Sequence, residues 1–322
     1  MEAHRNPSAA SFEEDLAKVK KPAAAVAFCA DRFMEAPLHV AASSLLRNLR
    51  SDYTARFYFL LTGFSEGDID CLRGTLDKTG RSYSMRILGA ENIHLPQGLP
   101  PLHGNFVIYH RLLLPDLVDE KHLLYLDCDL QVNVDVAPLF EIDMANKPAG
   151  FVVYGAVRHS LDGSFQVSIG RSPDGLVLND GVMFFNLPEW RRQRCSEAVW
   201  KFGLKHRTEL VSHEQSILRA LFADDCYRLG PEFNFSLTAD FRGEIPRAAI
   251  LHYVGSPKPW DIGGRLLLPY ADRWFAALRE TAIPFAKRRF WLNPRSWLRV
   301  PRIFGGYRRA IRFRIRGLRG RR

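Results

Sequence analysis

The stretch LLYLDCDLQVNVDV, residues 123–136, runs through Leu123, Leu124, Tyr125 and Leu126 and then sets Asp127 and Asp129 on either side of Cys128. An unpaired buried carboxylate is costly, and two this close raise each other's pKa, so a cation is expected beside them. In an extended chain residues i and i+2 face the same side, which lets both carboxylates converge on one point. Oxygen donors of this kind suit Mg2+ or Mn2+. An Asp-x-Asp triplet alone is a weak signal, and a turn bearing two solvated acids accounts for it as well. A second stretch, LHYVGSPKPW at 251–260, carries His252 in an apolar run followed by Gly255, Lys258, Pro259 and Trp260. A lone strand histidine is more often a satisfied core residue than a ligand. If His252 adds a nitrogen to the two aspartates, the mixed O/N set leans toward Mn2+ over Mg2+, and Lys258 on a glycine-relieved turn suits a phosphate.

Three more stretches carry polar groups inside apolar surroundings. In NDGVMFFN (179–186), Asn179 and Gly181 sit where the backbone approaches something closely or where a strand bulges. In HEQS (213–216), Glu214 and Gln215 stand at a helix start, where a capping role is the plain alternative. In YHRLLLPDL (109–117), Arg111 precedes three leucines, and a solvated arginine is its plain alternative.

These groups need elements to hold them. AAAVAFCA (23–30) reads as a buried strand ending at Asp31, PLHVAASSLLRNL (37–49) as a helix with Pro37 in its first turn, and ARFYFLL (55–61) as a strand. Ser65 and Asp68 read as a capping box on a helix that Gly80 closes, and SYSMRIL (82–88) as a third strand. This alternation predicts an α/β fold with a doubly wound, mainly parallel sheet, in which ligands bind beyond the carboxyl ends of the strands. Asp31 and the Asp127/Asp129 pair both fall at such ends. Farther on, FVVYGAV (151–157) reads as a strand, 158–177 as a flexible loop, VLNDGVMFFNL (177–187) as a strand broken at Asn-Asp-Gly, and AAILHYV (248–254) as a late strand. Helices are expected from Pro188 through Phe202 and over 213–222. The dinucleotide, P-loop and HExxH signatures are absent.

Five scattered cysteines without a CxxC pair argue against a disulfide framework or a zinc site and point to a reducing cytosol. No signal-peptide pattern or apolar run of membrane-spanning length is present. The net charge of +10 is local: residues 287–322 hold one Lys, thirteen Arg and no acid, leaving about −4 for the remainder. That segment interleaves Arg with Phe290, Trp291, Trp297, Phe304, Tyr307 and Phe313. The pattern fits an anionic membrane surface; RNA binding and a disordered solubilising tail are the competing readings.

Taken in order, FCAD, YHRLLLPDL, LLYLDCDLQV, LNDGVMFFNL, HEQSIL and HYVGSPKPW resemble the family 8 retaining glycosyltransferases over about residues 22–275. The resemblance implies a GT-A fold over 22–280, between an N-terminal extension at 1–21 and a basic, helical membrane-association tail at 281–322. It also implies a UDP-sugar donor (UDP-galactose or UDP-glucose) and a Mn2+ ion, with Mg2+ as the alternative. Asp127, Asp129 and His252 would hold the metal. Gly255 and Lys258 would contact the diphosphate, with Cys128 and Gly181 in the same binding set. Cys29, Ala30 and Asp31 would lie near the nucleotide, and Arg111, Asn179, Glu214 and Gln215 would face the donor sugar. Where the family often reads Ala-Asp-Asp/Glu-Asn-Tyr, this chain reads ADRFM at 30–34, which bears on the base and ribose contacts. The expected activity is hexosyl transfer to a saccharide or lipid-linked acceptor, in lipopolysaccharide or another envelope glycan, on the inner face of the cell membrane. No nucleic acid is expected. The competing reading is a non-catalytic nucleotide-sugar or RNA-binding module.

Overall fold

The computed structural model describes residues 21–89, 94–102, 104–241, 243–288 and 290–319. Nearly all of the expected N-terminal extension lies outside the described residues.

Strand β1 (Ala23–Asp31) is buried on both faces, as its unbroken apolar run requires. Alternate residues serve opposite layers: Val26 and Phe28 pack with Leu38, Leu45 and Phe57, whereas Ala25 and Ala27 pack with Leu123, Tyr125 and Trp190. β2 (Thr54–Thr62) and β3 (Tyr83–Gly89) continue the sheet in parallel on one side of β1, and β4 (His122–Leu126) pairs parallel on the other. β7 (Val177–Asn186) lies antiparallel between β4 and β6 (Ala149–Tyr154), and the two-residue β8 (Tyr227–Arg228) closes that edge. Among the described residues the order is β3-β2-β1-β4-β7-β6-β8, a mixed sheet whose nucleotide-fold half is parallel as expected.

The helix Glu35–Asn48 covers one face, and the helix Glu66–Asp77 starts with the expected Ser65/Asp68 capping box. Gly80 closes the turn after it with a positive φ of 64°.

A second, small sheet has three strands among the described residues. β5 (Leu130–Val132) pairs antiparallel with β10 (Ile250–His252), which pairs parallel with β9 (Phe235–Ser236). The chain leaves β4, turns through Asp127-Cys128-Asp129 and enters β5, so this turn links the two sheets.

Four local expectations are corrected. Residues 158–177 are not a flexible loop: they hold a 3-10 turn and the helix Gly163–Ser168, pinned because Asp162 is buried against Arg219 (Nη1 to Oδ1, 2.6 Å) and Gln166. β7 is not broken at Asn-Asp-Gly. It runs through as one strand and absorbs the irregularity as a bulge, where the β6 register jumps from Phe151↔Met183 to Val152↔Asn179. The helix after Pro188 is two helices, Leu187–Arg192 and Cys195–Lys205, separated at Arg194, whose φ is +54°. The late strand is only three residues long, because the chain turns sharply after His252.

The C-terminal segment is joined to the body. Lys287 bridges Glu35 (2.6 Å) and Asp68 (2.9 Å), Phe290 packs on Trp274, and the helix Phe304–Arg319 seats Gly306 on the backbone of Ser256.

Candidate active site

Asp127 and Asp129 occupy a turn, not a strand, yet they converge as expected. Cys128 points into the core, 3% exposed, with its thiol on the Cys29 carbonyl, and this turns its two neighbours to the opposite side. The register of β10 against β5 places His252 opposite Leu130, and the Tyr253 N–H donates to the Asp129 carbonyl (3.0 Å). One donor atom each from Asp127, Asp129 and His252 then lies within 4.8 Å of the others. His252 Nε2 is 3.3 Å from Asp129 Oδ1, and Lys258 Nζ is 2.5 Å from Asp129 Oδ2. Burial alone would raise the Asp129 carboxyl, but the Lys258 ammonium and the His252 ring hold it well below the usual carboxylate range.

A hydrogen-bond chain determines which nitrogen of His252 is free. The Gly181 N–H donates to Asn179 at 2.9 Å, so the atom it meets is Oδ1. Asn234 must then donate its Nδ2 to that same oxygen (3.0 Å), which leaves Asn234 Oδ1 to accept from His252 Nδ1 (2.9 Å). Nδ1 therefore carries a proton, and Nε2 is the nitrogen that faces Asp129, where a proton or a metal ion can sit between ring and carboxylate. The donor set of two carboxylates and one imidazole fits a divalent metal. Gly181 is required here: a Cβ at that position would lie 2.3 Å from His252 Cε1. Asn234, beside β9, carries no sequence signal that points to this role, and its place in this chain depends on the pairing of β9 with β10.

Asp127 is held from the other side. Tyr125 Oη donates to its Oδ1 (2.5 Å), and Arg111 Nη2 lies 2.8 Å from the same oxygen, so Oδ2 is left for a cation. Burial pushes this carboxyl up, Arg111 opposes the shift, and Asp129 adds to it. Arg111 comes from the 3-10 segment Val107–Leu112 and is buried, unlike a solvated arginine. Its Nη1 reaches Asp180 Oδ2 at 3.2 Å and its Nη2 lies 3.7 Å from Glu214 Oε1.

Glu214 and Gln215 open the helix Glu214–Phe222. The residue before it, His213, has a φ of +48° with a ψ of −124°, a sparsely populated conformation that costs a non-glycine residue on the order of 1–3 kcal/mol and aims the helix start at Arg111. Glu214 is not a solvated cap: burial pushes its carboxyl up to about 8, against the opposing Arg111 charge. Gln215 donates Nε2 to Asp180 Oδ1 at 2.5 Å. Sequence reasoning passed over Asp180, which stands between two residues it singled out, and it read Tyr125 only as part of an apolar run.

The remaining expected residues lie at the carboxyl end of β1. Cys29 and Ala30 are buried. Asp31 caps the turn Arg32–Met34 through Phe33 N (2.9 Å) and accepts from Asn105 Nδ2 (2.7 Å). Burial raises its carboxyl. A cavity of about 410 Å³ opens beside it, lined by Thr62, Gly63, Asn105, Phe106 and His110 among others. Gly255 follows β10 with a φ of +80°, and Lys258 donates from Nζ to the Tyr253 carbonyl and from its backbone N–H to Asp261 (2.7 Å).

The model of "Glycosyl transferase family 8" matches residues 25–262. General stress protein A of Bacillus subtilis (strain 168) is 26% identical over 257 residues, covering 74% of this chain and 87% of that protein. Glycosyltransferase GlyE of Streptococcus pneumoniae serotype 4 (strain ATCC BAA-334 / TIGR4) is 29% identical over 171 residues, 49% of this chain and 38% of GlyE. The crystal structure of galactosyltransferase LgtC in complex with donor and acceptor sugar analogues superimposes with a TM-score of 0.66 at 24% identity, covering 82% of this chain and 99% of that one, and so shares its fold. With a family model spanning most of the chain and an acid-rich, histidine-bearing centre at the carboxyl ends of its strands, the protein belongs to glycosyltransferase family 8 and is a glycosyltransferase.

Proposed function

We propose that the enzyme is a retaining, Mn2+-dependent hexosyltransferase that moves galactose or glucose from a UDP-sugar to a saccharide acceptor, in lipopolysaccharide or another envelope glycan. The observation that carries this reading is the convergence of Asp127, Asp129 and His252, with Nδ1 of His252 committed to Asn234 and Nε2 turned toward the carboxylates. When bound there, a divalent cation supplies Lewis-acid stabilisation of a leaving diphosphate. Lys258 adds a second positive charge at the same place, and the φ of Gly255 lets the turn carrying it bend close to phosphate oxygens. With a good leaving group already present, no strong general acid is needed, in keeping with a site that has no Ser/His or Cys/His nucleophile pair among the described residues.

Glu214, neutral at pH 7, can donate a hydrogen bond to a sugar hydroxyl but is a poor nucleophile, and the Gln215 amide is a poorer one. Both favour front-face return, in which the leaving phosphate accepts the acceptor's proton, over a covalent glycosyl-enzyme. A glycosyl adduct trapped on Glu214 would contradict this.

The membrane reading rests on the C-terminal segment. Trp291, Trp297, Leu298, Phe304, Ile311 and Ile315 are exposed among arginines, a composition that suits an anionic lipid surface and a lipid-linked acceptor. No helix among the described residues is long and apolar enough to cross a membrane.

A panel of UDP-sugars with Mn2+, reading UDP release, tests the reaction. Release from one UDP-hexose, stopped by excess chelator, is the expected result. Release from none, or release unchanged in chelator, would overturn the reading.

A further inference from the structure

Asp180 has no assigned role and an unusual position. It sits at the bulge of β7 with its side chain 5% exposed, and both of its oxygens are engaged. Oδ2 faces Arg111 Nη1 at 3.2 Å, Arg111 Nη1 also donates to the Asp180 carbonyl at 3.1 Å, and Oδ1 accepts from Gln215 Nε2 at 2.5 Å. Arg111 in turn holds Asp127 through Nη2, so Gln215 stands three polar contacts from a candidate metal ligand.

A carboxylate can only accept hydrogen bonds. The amino end of the Gln215 amide is therefore committed to Asp180, and the carbonyl oxygen Oε1 is the end left to meet a ligand on this half-buried side chain. We propose that Asp180 is a positioning residue that fixes the orientation of the Gln215 amide, so that its carbonyl oxygen and not its amino group faces the donor sugar. This rests on the reading of Gln215 as a donor-sugar residue. As the bond to the leaving diphosphate stretches, positive charge grows at the sugar's reacting carbon. A carbonyl dipole with its negative end toward that carbon stabilises the charge, and an amino group would oppose it. Asp180 itself is buried and doubly engaged, so it acts through Gln215.

Steady-state transfer by Asp180→Asn, Gln215→Ala and the double variant tests the proposal. An asparagine can present either end to Gln215 and so releases the constraint at nearly constant volume. The expected kcat of Asp180→Asn is reduced at least about tenfold with the donor KM within about threefold, and the double variant is no slower than Gln215→Ala alone within about twofold. Wild-type kcat in Asp180→Asn, losses that multiply in the double variant, or a glycosyl adduct on Asp180 would overturn it. An arm independent of turnover uses 15N-glutamine-labelled protein. One Gln215 side-chain amide proton, identified by its loss in Gln215→Ala, is expected downfield and protected from exchange, and is expected to lose both properties in Asp180→Asn. An unprotected Gln215 amide in the wild type would overturn the proposal. A wild type that releases UDP from no sugar would instead sink the donor reading, with the amide result still standing for or against the role of Asp180 in orienting Gln215.

Discussion

The imidazole of His252 draws its role from two asparagines. Asn179 and Asn234 together fix the ring so that Nδ1 donates and Nε2 faces the aspartates, so removing Asn234 should free the ring without removing the candidate ligand. Asn234→Ala is expected to weaken Mn2+ binding about 10–100-fold, measured by titration, while the protein stays folded. Glu214 makes a different prediction. Its carboxyl is raised from an ordinary value near 4.5 to about 8 in the folded protein, so the folded chain holds the proton more tightly than the unfolded chain. The contribution is fully present below about pH 4.5 and is lost as pH rises through 8, with a slope of up to about 1.4 kcal/mol per pH unit. Chemical denaturation of Glu214→Gln across pH 5–8 should show this slope removed relative to wild type; equal slopes would contradict the buried, protonated state. The candidate ligands were legible in the sequence, because two acids after an apolar strand and a histidine in another are chemical anomalies. Asn234, Asp180 and Tyr125 were not, because each acts through a partner brought near by sheet pairing that no local pattern records.

The elements that position the site draw stability from sequence features of unequal visibility. The Ser65/Asp68 capping box and the apolar run of β1 are local and could be read directly. The segment 158–177 could not, because its Gly and Ser content resembles a loop and its order comes from a partner far along the chain. Arg219 neutralises Asp162, which is 1% exposed, and also donates to the Leu178 carbonyl on β7. Arg219→Ala leaves that buried carboxylate without its cation and is expected to cost about 3–5 kcal/mol, read as a lower denaturation midpoint. The bulge of β7 belongs to the same class. Asn-Asp-Gly signals an irregularity, but only the positions of β4 and β6 on either side determine that the strand continues through it and delivers Gly181 to His252.

Across the molecule the basic segment is part of the architecture. Lys287 ties it to Glu35 and Asp68, Arg299 faces Asp261 at 3.4 Å, and Tyr307 Oη donates to the Ile262 carbonyl at 2.6 Å, beside the turn that carries Lys258. Two truncations should therefore differ. Removing 304–322 is expected to weaken pelleting with anionic vesicles while the body stays folded, and removing 287–322 to abolish it. Removing 287–322 is expected also to lower the thermal midpoint, since the Lys287 bridges and the Phe290–Trp274 contact go with it. Identical midpoints would contradict this anchoring. The charge of the segment was evident from composition, but its seat on the body was not, because its partners Glu35, Asp68, Asp261 and Trp274 and the Ile262 and Ser256 carbonyls are brought to it only by the fold. The account as a whole depends on one divalent ion shared by Asp127, Asp129 and His252. Mn2+ binding, followed by electron paramagnetic resonance in wild type and in Asp129→Asn and His252→Ala, tests it most directly. The account predicts one saturable site in the wild type, strongly weakened in both variants. Equal binding in all three proteins, or none in the wild type, would contradict it.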